Sequence, residues 1–351
     1  MLAGWGRSGT AAALMTVLGL AIAGCAGSPE IAAPTAARPA TTQPGRPVTA
    51  GRHSTATWVA PLTGLPAASA RAANRPAVAL PLAGARVHGL AAADVVFEEI
   101  TTPIRYIAVF QSREDPSVGP VTGTRPTDGQ ALSVLHPLIG YDGGTLPFIR
   151  VLDRTDVVDV GVAHYPALYH PGATGPIVST SQVAAAAHGT APPPLFSYQG
   201  SAVGSQARFA TTGSWPVSWL RVAAPGLGPQ QWVFSARSGR WTNVAGGPRV
   251  QAANVIVQTV PYKEVNLSAR LGIKVPSARV IGAGRALVLS GTTGAAGHTG
   301  VAVHAAWSKP GSQQVTNYLD ARSTPVGLQP GPTWVILAPA GTRISTGRGR
   351  S

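Results

Sequence analysis

The chain has 351 residues, a formal net charge of +14, 44% hydrophobic residues and only 11% charged ones. That length points to two domains with a buried core, and the apolar content excludes a wholly disordered chain. The single Cys excludes an internal disulfide framework and a structural zinc site built from several cysteines.

The basic excess is mostly arginine and is unevenly placed. Only Lys263, Lys274 and Lys309 are lysines among the 27 basic residues. From Trp58 to Asp159 there are 8 basic and 10 acidic residues, whereas from Val160 to Pro339 there are 12 and 2. Such asymmetry points to an anionic partner for the second half, or to a solubilising field.

The N-terminus carries an export pattern. Arg7 supplies a positive flank, and Ala11 to Ile22 is an apolar run too short to span a bilayer. It ends in Ile22-Ala23-Gly24-Cys25, the pattern of a bacterial lipobox: a branched aliphatic, two small residues and an acylatable thiol. Residues 1–24 are therefore expected to be a lipoprotein signal peptide, with Cys25 lipidated; several acyl chains give a stable anchor where one does not. An ordinary secretory signal that happens to contain a Cys is the alternative. Residues 25–57 continue as a Pro-, Thr- and Ala-rich linker with no apolar period, and so no face to bury. In extended polyproline form it reaches ~100 Å.

The body divides, in expectation, into an N-terminal α/β-layered domain at 58–205 and a mostly β C-terminal domain at 206–340, an α+β fold overall. Strands are predicted at Pro76–Leu82, Asp94–Ile100, Arg105–Ser112 and Leu138–Asp142. Helices are predicted at Pro126–His136, Leu146–Arg154 and Ser179–His188, the first opening on Pro with Asp128 in its first turn. The second part reads as strands at Trp215–Val222, Gln231–Ser235, Val250–Pro261, Arg279–Ile281, Arg285–Ser290, Val301–Trp307 and Thr333–Ala338. Residues 341–351, with Arg343, Arg348 and Arg350, read as a basic tail.

A family resemblance is carried by an ordered set of short motifs. Pro61-Leu62-Thr63-Gly64-Leu65-Pro66 opens the body, and Ala93-Asp94-Val95-Val96-Phe97-Glu98-Glu99 follows. Then come Arg105-Tyr106-Ile107-Ala108-Val109-Phe110, Gly119-Pro120-Val121 through Asp128, Asn254-Val255-Ile256-Val257-Gln258, and Leu328-Gln329-Pro330-Gly331-Pro332-Thr333-Trp334-Val335. In this order and spacing the chain resembles the YerB-like bacterial lipoproteins, exported proteins with an N- and a C-terminal domain of unknown function. The resemblance implies an envelope lipoprotein and supplies no reaction. Polar residues common in the family give way here to Leu80-Pro81-Leu82, Thr122-Gly123 and Thr174-Gly175-Pro176, which counts against a shared catalytic chemistry.

The candidate chemistry is sparse. Glu98 and Glu99 are adjacent in a predicted strand and so point to opposite faces. Glu99 shares a face with Val95 and Phe97, and apolar surroundings there would raise its pKa. Glu99 with Asp128 or Asp142 would make an acid–base pair for a glycan. The plainer use is Arg125 pairing a carboxylate while Asp128 caps a helix. Gly143 and Gly144 before a helix offer backbone N–H groups to an anion, or simply a turn. Trp215, Trp219, Trp232, Trp241, Trp307 and Trp334 offer stacking platforms or, more commonly, core. No HExxH, P-loop or GxSxG is present, and no GxGxxG opens a helix after a strand, so no metal or cofactor is implied.

Two functions remain. The favoured one is a non-enzymatic lipoprotein, anchored to the outer face of the cell membrane through Cys25, that binds an anionic wall polymer or an envelope protein. Its binding residues are Arg125, Gly143 and Gly144 with the basic set Arg240, Arg249 and Lys263, extended by Arg270 and Arg285. The alternative is an envelope glycan enzyme using Glu99, Asp128 and Asp142. Nucleic acid is disfavoured as a partner, because export removes it.

Overall fold

The computed structural model describes residues 58–84, 86–200, 213–268, 272–294 and 297–349. In the first half, α1 (Ala70–Ala73) precedes β1 (Val78–Ala83), β2 (Val95–Glu99) and β3 (Arg105–Phe110). Next come α2 (Pro126–Leu132), β4 (Leu138–Ile139), α3 (Leu146–Leu152), β5 (Val158–Asp159) and α4 (Thr180–Ala186). The second half is all strand: β6 (Ser214–Pro216), β7 (Trp219–Ala223), β8 (Gln230–Ser235), β9 (Arg240–Ala245), β10 (Gln251–Ala252), β11 (Asn254–Thr259), β12 (Tyr262–Ser268) and β13 (Ile273–Ala278). It continues through β14 (Gly282–Gly294), β15 (Gly297–Lys309), β16 (Asn317–Leu319), β17 (Thr333–Ala338) and β18 (Arg343–Gly347). The fold is α+β: an α/β region followed by a β-rich one.

The two halves share one sheet. Its order is β16-β15-β14-β11-β17-β2-β3-β1-β4-β5, with β6 added on β15. β17 lies parallel to β2 on one side and to β11 on the other, pairing Val335 with Phe97 and with Ile256. A strand in that place has neighbours on every side, which is why Thr-Trp-Val-Ile-Leu-Ala carries no alternation and is buried throughout. The described residues form one compact unit. The boundary expected at 205/206 falls in 201–212, outside the described residues, as do Cys25 and the linker.

Each face of the main sheet is covered differently. One face packs Val95, Phe97 and Ile107 against Ala131 and Leu132 of α2 and against Phe196 and Tyr318. The other packs Val96, Ala108 and Ile336 against a second sheet of order β10-β9-β8-β7-β18, through Leu220, Trp232 and Trp241. β12 and β13 pair only with each other and form an arm beside α2.

Several boundaries differ from the sequence reading. Arg279–Ile281 is the link between β13 and β14, not a strand. The glycines at 282, 284, 291 and 294 look like breaks, yet they sit inside a 13-residue strand held by its full pairing with β15. Trp215–Val222 divides into β6 and β7, and Val250–Pro261 into β10 and β11, because each pair serves two different sheets. The supposed basic tail supplies β18, whose Ile344 and Thr346 alternate with Arg343 and Ser345 and complete the edge of the small sheet on β7.

Candidate functional site

Strand alternation sends the two adjacent glutamates into opposite layers, and both are buried. Glu99 points to the helical side. There Arg105, from the start of β3, donates from Nη1 to Glu99 Oε2 at 2.7 Å and to Asp128 Oδ1 at 2.7 Å. Its Nη2 donates to Asp128 Oδ2 at 2.6 Å and to Gly123 O at 3.2 Å. Asp128 also accepts from Thr124 Oγ1 and from the Arg125 backbone N–H, so it does cap α2. The Ala278 N–H donates to Glu99 Oε1, tying the arm to the same cluster.

The expected carboxylate pair therefore exists, but it is sealed. One guanidinium occupies the space between Glu99 and Asp128, and all three side chains are at most 1% exposed. Burial pulls the Arg105 pKa down, yet the charges of Asp128 and Glu99 outweigh it, and the guanidinium stays charged. Two carboxylates held by one buried arginine expose no oxygen to a substrate. Arg105 is the partner that Arg125 was expected to be. Arg125 itself donates to Pro276 O at 3.4 Å, and burial, then Arg105 beside it, lowers its pKa.

Asp142 stands outside this cluster. Its backbone N–H donates to Thr122 O, and its half-buried carboxylate has no hydrogen bond or ion pair among the described residues. Gly143 and Gly144 make the turn into the seven-residue α3.

Glu98 points to the small sheet. It accepts from Gln230 Nε2 and from Trp334 Nε1 and meets no cation among the described residues. Burial pushes its pKa up to about 7, against the two hydrogen bonds. Trp232 and Tyr106 stack about Trp334 in the same layer, with ring centroids 5.5 and 5.7 Å away. Trp232, Trp241, Trp307 and Trp334 are all core, leaving Trp215 and Trp219 half-exposed.

A cleft of about 420 Å³ opens where the two halves of the chain meet. The first half contributes Thr63, Asp94 and Arg113, and the second Arg240, Arg249 and Gln251. None of these three arginines has a salt bridge among the described residues. Arg113 is held by a 3.2 Å hydrogen bond to Ala93 O. Arg240 is half-buried, and burial, then Arg113, lowers its pKa. Gly331 makes room for it: a Cβ there would lie 2.8 Å from Arg240 Nη1. The only acid in the cleft is Asp94, wholly buried, which accepts from the N–H groups of Gln111 and Ser112. Burial raises its pKa despite those bonds. The cleft thus gathers three guanidinium groups around one buried acid, Asp94, which feels the charge of Arg113.

Arg240 and Arg249 are brought together as expected; Lys263 and Arg285 lie apart from them, exposed on β12 and β14. Arg270 lies outside the described residues. Sequence reasoning missed Arg105, Arg113 and Asp94. A lone Arg opening the apolar strand Arg-Tyr-Ile-Ala-Val-Phe was the available signal for the first.

The N-terminal domain of the family described as protein of unknown function (DUF3048) matches residues 62–174, and its C-terminal domain matches 228–335. The chain belongs to this YerB-like family. The crystal structure of the YerB protein from Bacillus subtilis has the same fold, with a TM-score of 0.64 and 16% identity, over 82% of this chain and 99% of that one. No curated protein matches the chain. The two matched segments of this YerB-like chain each supply one wall of the arginine cleft, through Asp94 and Arg113 on one side and Arg240 and Arg249 on the other.

Replacing Arg105 by Met leaves two carboxylates buried without a counter-charge. Urea denaturation at pH 7 is expected to show a loss of about 3–5 kcal/mol. A loss under ~1 kcal/mol contradicts the triad's role. Glu98 makes the opposite test. Its folded pKa lies above its unfolded value of 4.5, so stability falls as pH rises from about 4.5 to about 7 and is flat beyond. The Glu98→Gln variant is expected to lose that contribution and to gain roughly 3 kcal/mol over wild type at pH 8. Asp94 adds a slope of the same sign, which the variant leaves in place.

Proposed function

We propose that this is an exported lipoprotein, anchored through Cys25, whose body binds an anionic polymer of the cell wall without transforming it. The observation that carries this reading is the cleft: Arg113, Arg240 and Arg249 line one recess with no ion pair among the described residues. Three guanidinium groups around one space repel each other, and an anion between them relieves that repulsion. Arginine suits the task because its planar fork grips phosphate or carboxylate through two parallel hydrogen bonds. The sealed Glu99–Arg105–Asp128 cluster favours binding over acid–base catalysis, since it presents no free carboxyl.

The lipobox Ile22-Ala23-Gly24-Cys25 and the linker after it support the location. Among the described residues no helix is long and apolar enough to cross a membrane, so attachment in this reading rests on acylation. A tether of this composition holds the cleft above the bilayer, within the zone where wall polymers run.

Two measurements test the proposal. Mass spectrometry of the membrane fraction is expected to find a mature chain beginning at an acylated Cys25, and the Cys25→Ala variant is expected to leave that fraction; an unmodified full-length chain contradicts the location. Titration with a purified phosphate-rich wall polymer is expected to show binding that weakens as salt rises. Arg240→Glu combined with Arg249→Glu lowers that affinity at least about tenfold, with an unchanged melting temperature. Binding that ignores both salt and charge reversal contradicts the function.

A further inference from the structure

The five-stranded sheet buries one face against the main sheet, through Leu220, Val222, Trp232 and Trp241. Alternation therefore turns Arg221, Gln231 and Thr242 to the other face, while the half-buried Arg240, at the start of β9, reaches Gly331 beside the first cleft. Register lines the side chains up across strands: Ser345 on β18 opposes Arg221 on β7, which opposes Gln231 on β8. This sheet has no negative charge of its own. Gly213 to Ala252 and Gly341 to Gly349 contain six arginines (221, 237, 240, 249, 343 and 348) and neither Asp nor Glu. None of the six has a salt bridge among the described residues.

A second recess, of about 440 Å³, opens at the β7–β18 edge and is lined by Arg221 and Arg343. The first cleft takes Arg240, Arg249 and Gln251 from the opposite edge, β9 and β10. Four strand spacings separate the outermost strands, or about 19 Å. The half-exposed Trp219 lies against the β18 backbone: a Cβ on Gly347 would fall 2.5 Å from its Cζ2. Only a glycine at 347 lets the indole settle there.

We propose that the two recesses are the ends of one track across the solvent face of the small sheet, and that its ligand is a linear polymer with repeating anionic groups, long enough to engage both at once. This rests on the reading of the first cleft as an anion site and goes beyond it, because a single anion would need one recess only. Two separated concave recesses suit discrete groups on a chain better than a flat bilayer. The face offers lipid little apolar surface: among the described residues Val244 is the one large hydrophobic of the sheet more than a third exposed, beside the half-buried Trp219. Two linked sites raise the affinity for a spanning chain by roughly 10²–10⁴ over one site.

Calorimetry on the full chain tests the track, with tripolyphosphate as a probe too short to span it and long-chain inorganic polyphosphate as one that does. Wild type is expected to bind the long chain at least about a hundredfold more tightly per chain. Arg221→Ala with Arg343→Ala is expected to cut that length advantage at least about tenfold, and Arg221→Lys with Arg343→Lys to keep most of it. Tripolyphosphate binding with a length advantage untouched by the alanine pair overturns the track and leaves the cleft standing. Binding of neither probe overturns both. Capture of the Cys25→Ser chain by phosphatidylglycerol vesicles, abolished by the alanine pair and without any polyphosphate length advantage, would make this a membrane face and overturn the polymer.

Discussion

Strand β17 joins two lengths of chain that are far apart in sequence, and the molecule depends on that pairing. Hydrogen-bonded in parallel to β2 and β11, it makes a single sheet from residues of both halves. The strand is buried on both faces, so its six side chains contribute to both hydrophobic layers at once. Pro332, just before it, lies on the wall of the arginine cleft, and Gly331 leaves space for Arg240. The charged cleft is thus a consequence of where β17 enters the sheet. Neither half alone would place Arg113 opposite Arg240 and Arg249.

Glu98 and Glu99 show how neighbouring residues of one type acquire different chemistry. The difference is partner, not exposure, since both are buried. Glu99 meets a guanidinium that also satisfies Asp128, and the three charges fix β2, β3 and α2 to one another. Glu98 meets only neutral donors from Gln230 and Trp334, so burial decides its titration. One pair of layers therefore meets at paired charges, and the other at a carboxyl whose pKa burial raises.

Much of the architecture was legible in the sequence. β2, β3, β8 and β17 follow from their apolar and β-branched runs, and α2 from the Pro and Asp at its start. The alternating placement of Glu98 and Glu99 followed from strand geometry alone. What sequence could not show was long-range pairing. Arg125 was expected to pair a carboxylate, yet Arg105 does so, meeting Glu99 because β3 lies beside β2 and Asp128 because α2 packs over that face. β18 was hidden for the same reason: Arg-Ile-Ser-Thr-Gly is too short and polar to announce a strand, and only the open edge of β7 makes it one. Arg240 and Arg249 were identifiable as basic residues of the second half. Their meeting with Arg113 was not, because it needs the shared sheet.

Charge segregation and sheet topology together describe a protein whose acids are largely committed to internal bonds in the first half, while arginines of the second remain available. The central claim is that the halves jointly form an anion site. The most direct test is a crystal structure of the protein grown with tripolyphosphate. The account predicts phosphate density in the cleft, within hydrogen-bond reach of Arg113 from one half and of Arg240 or Arg249 from the other. Density held by residues of one half alone, or an empty cleft at saturating ligand, would contradict it.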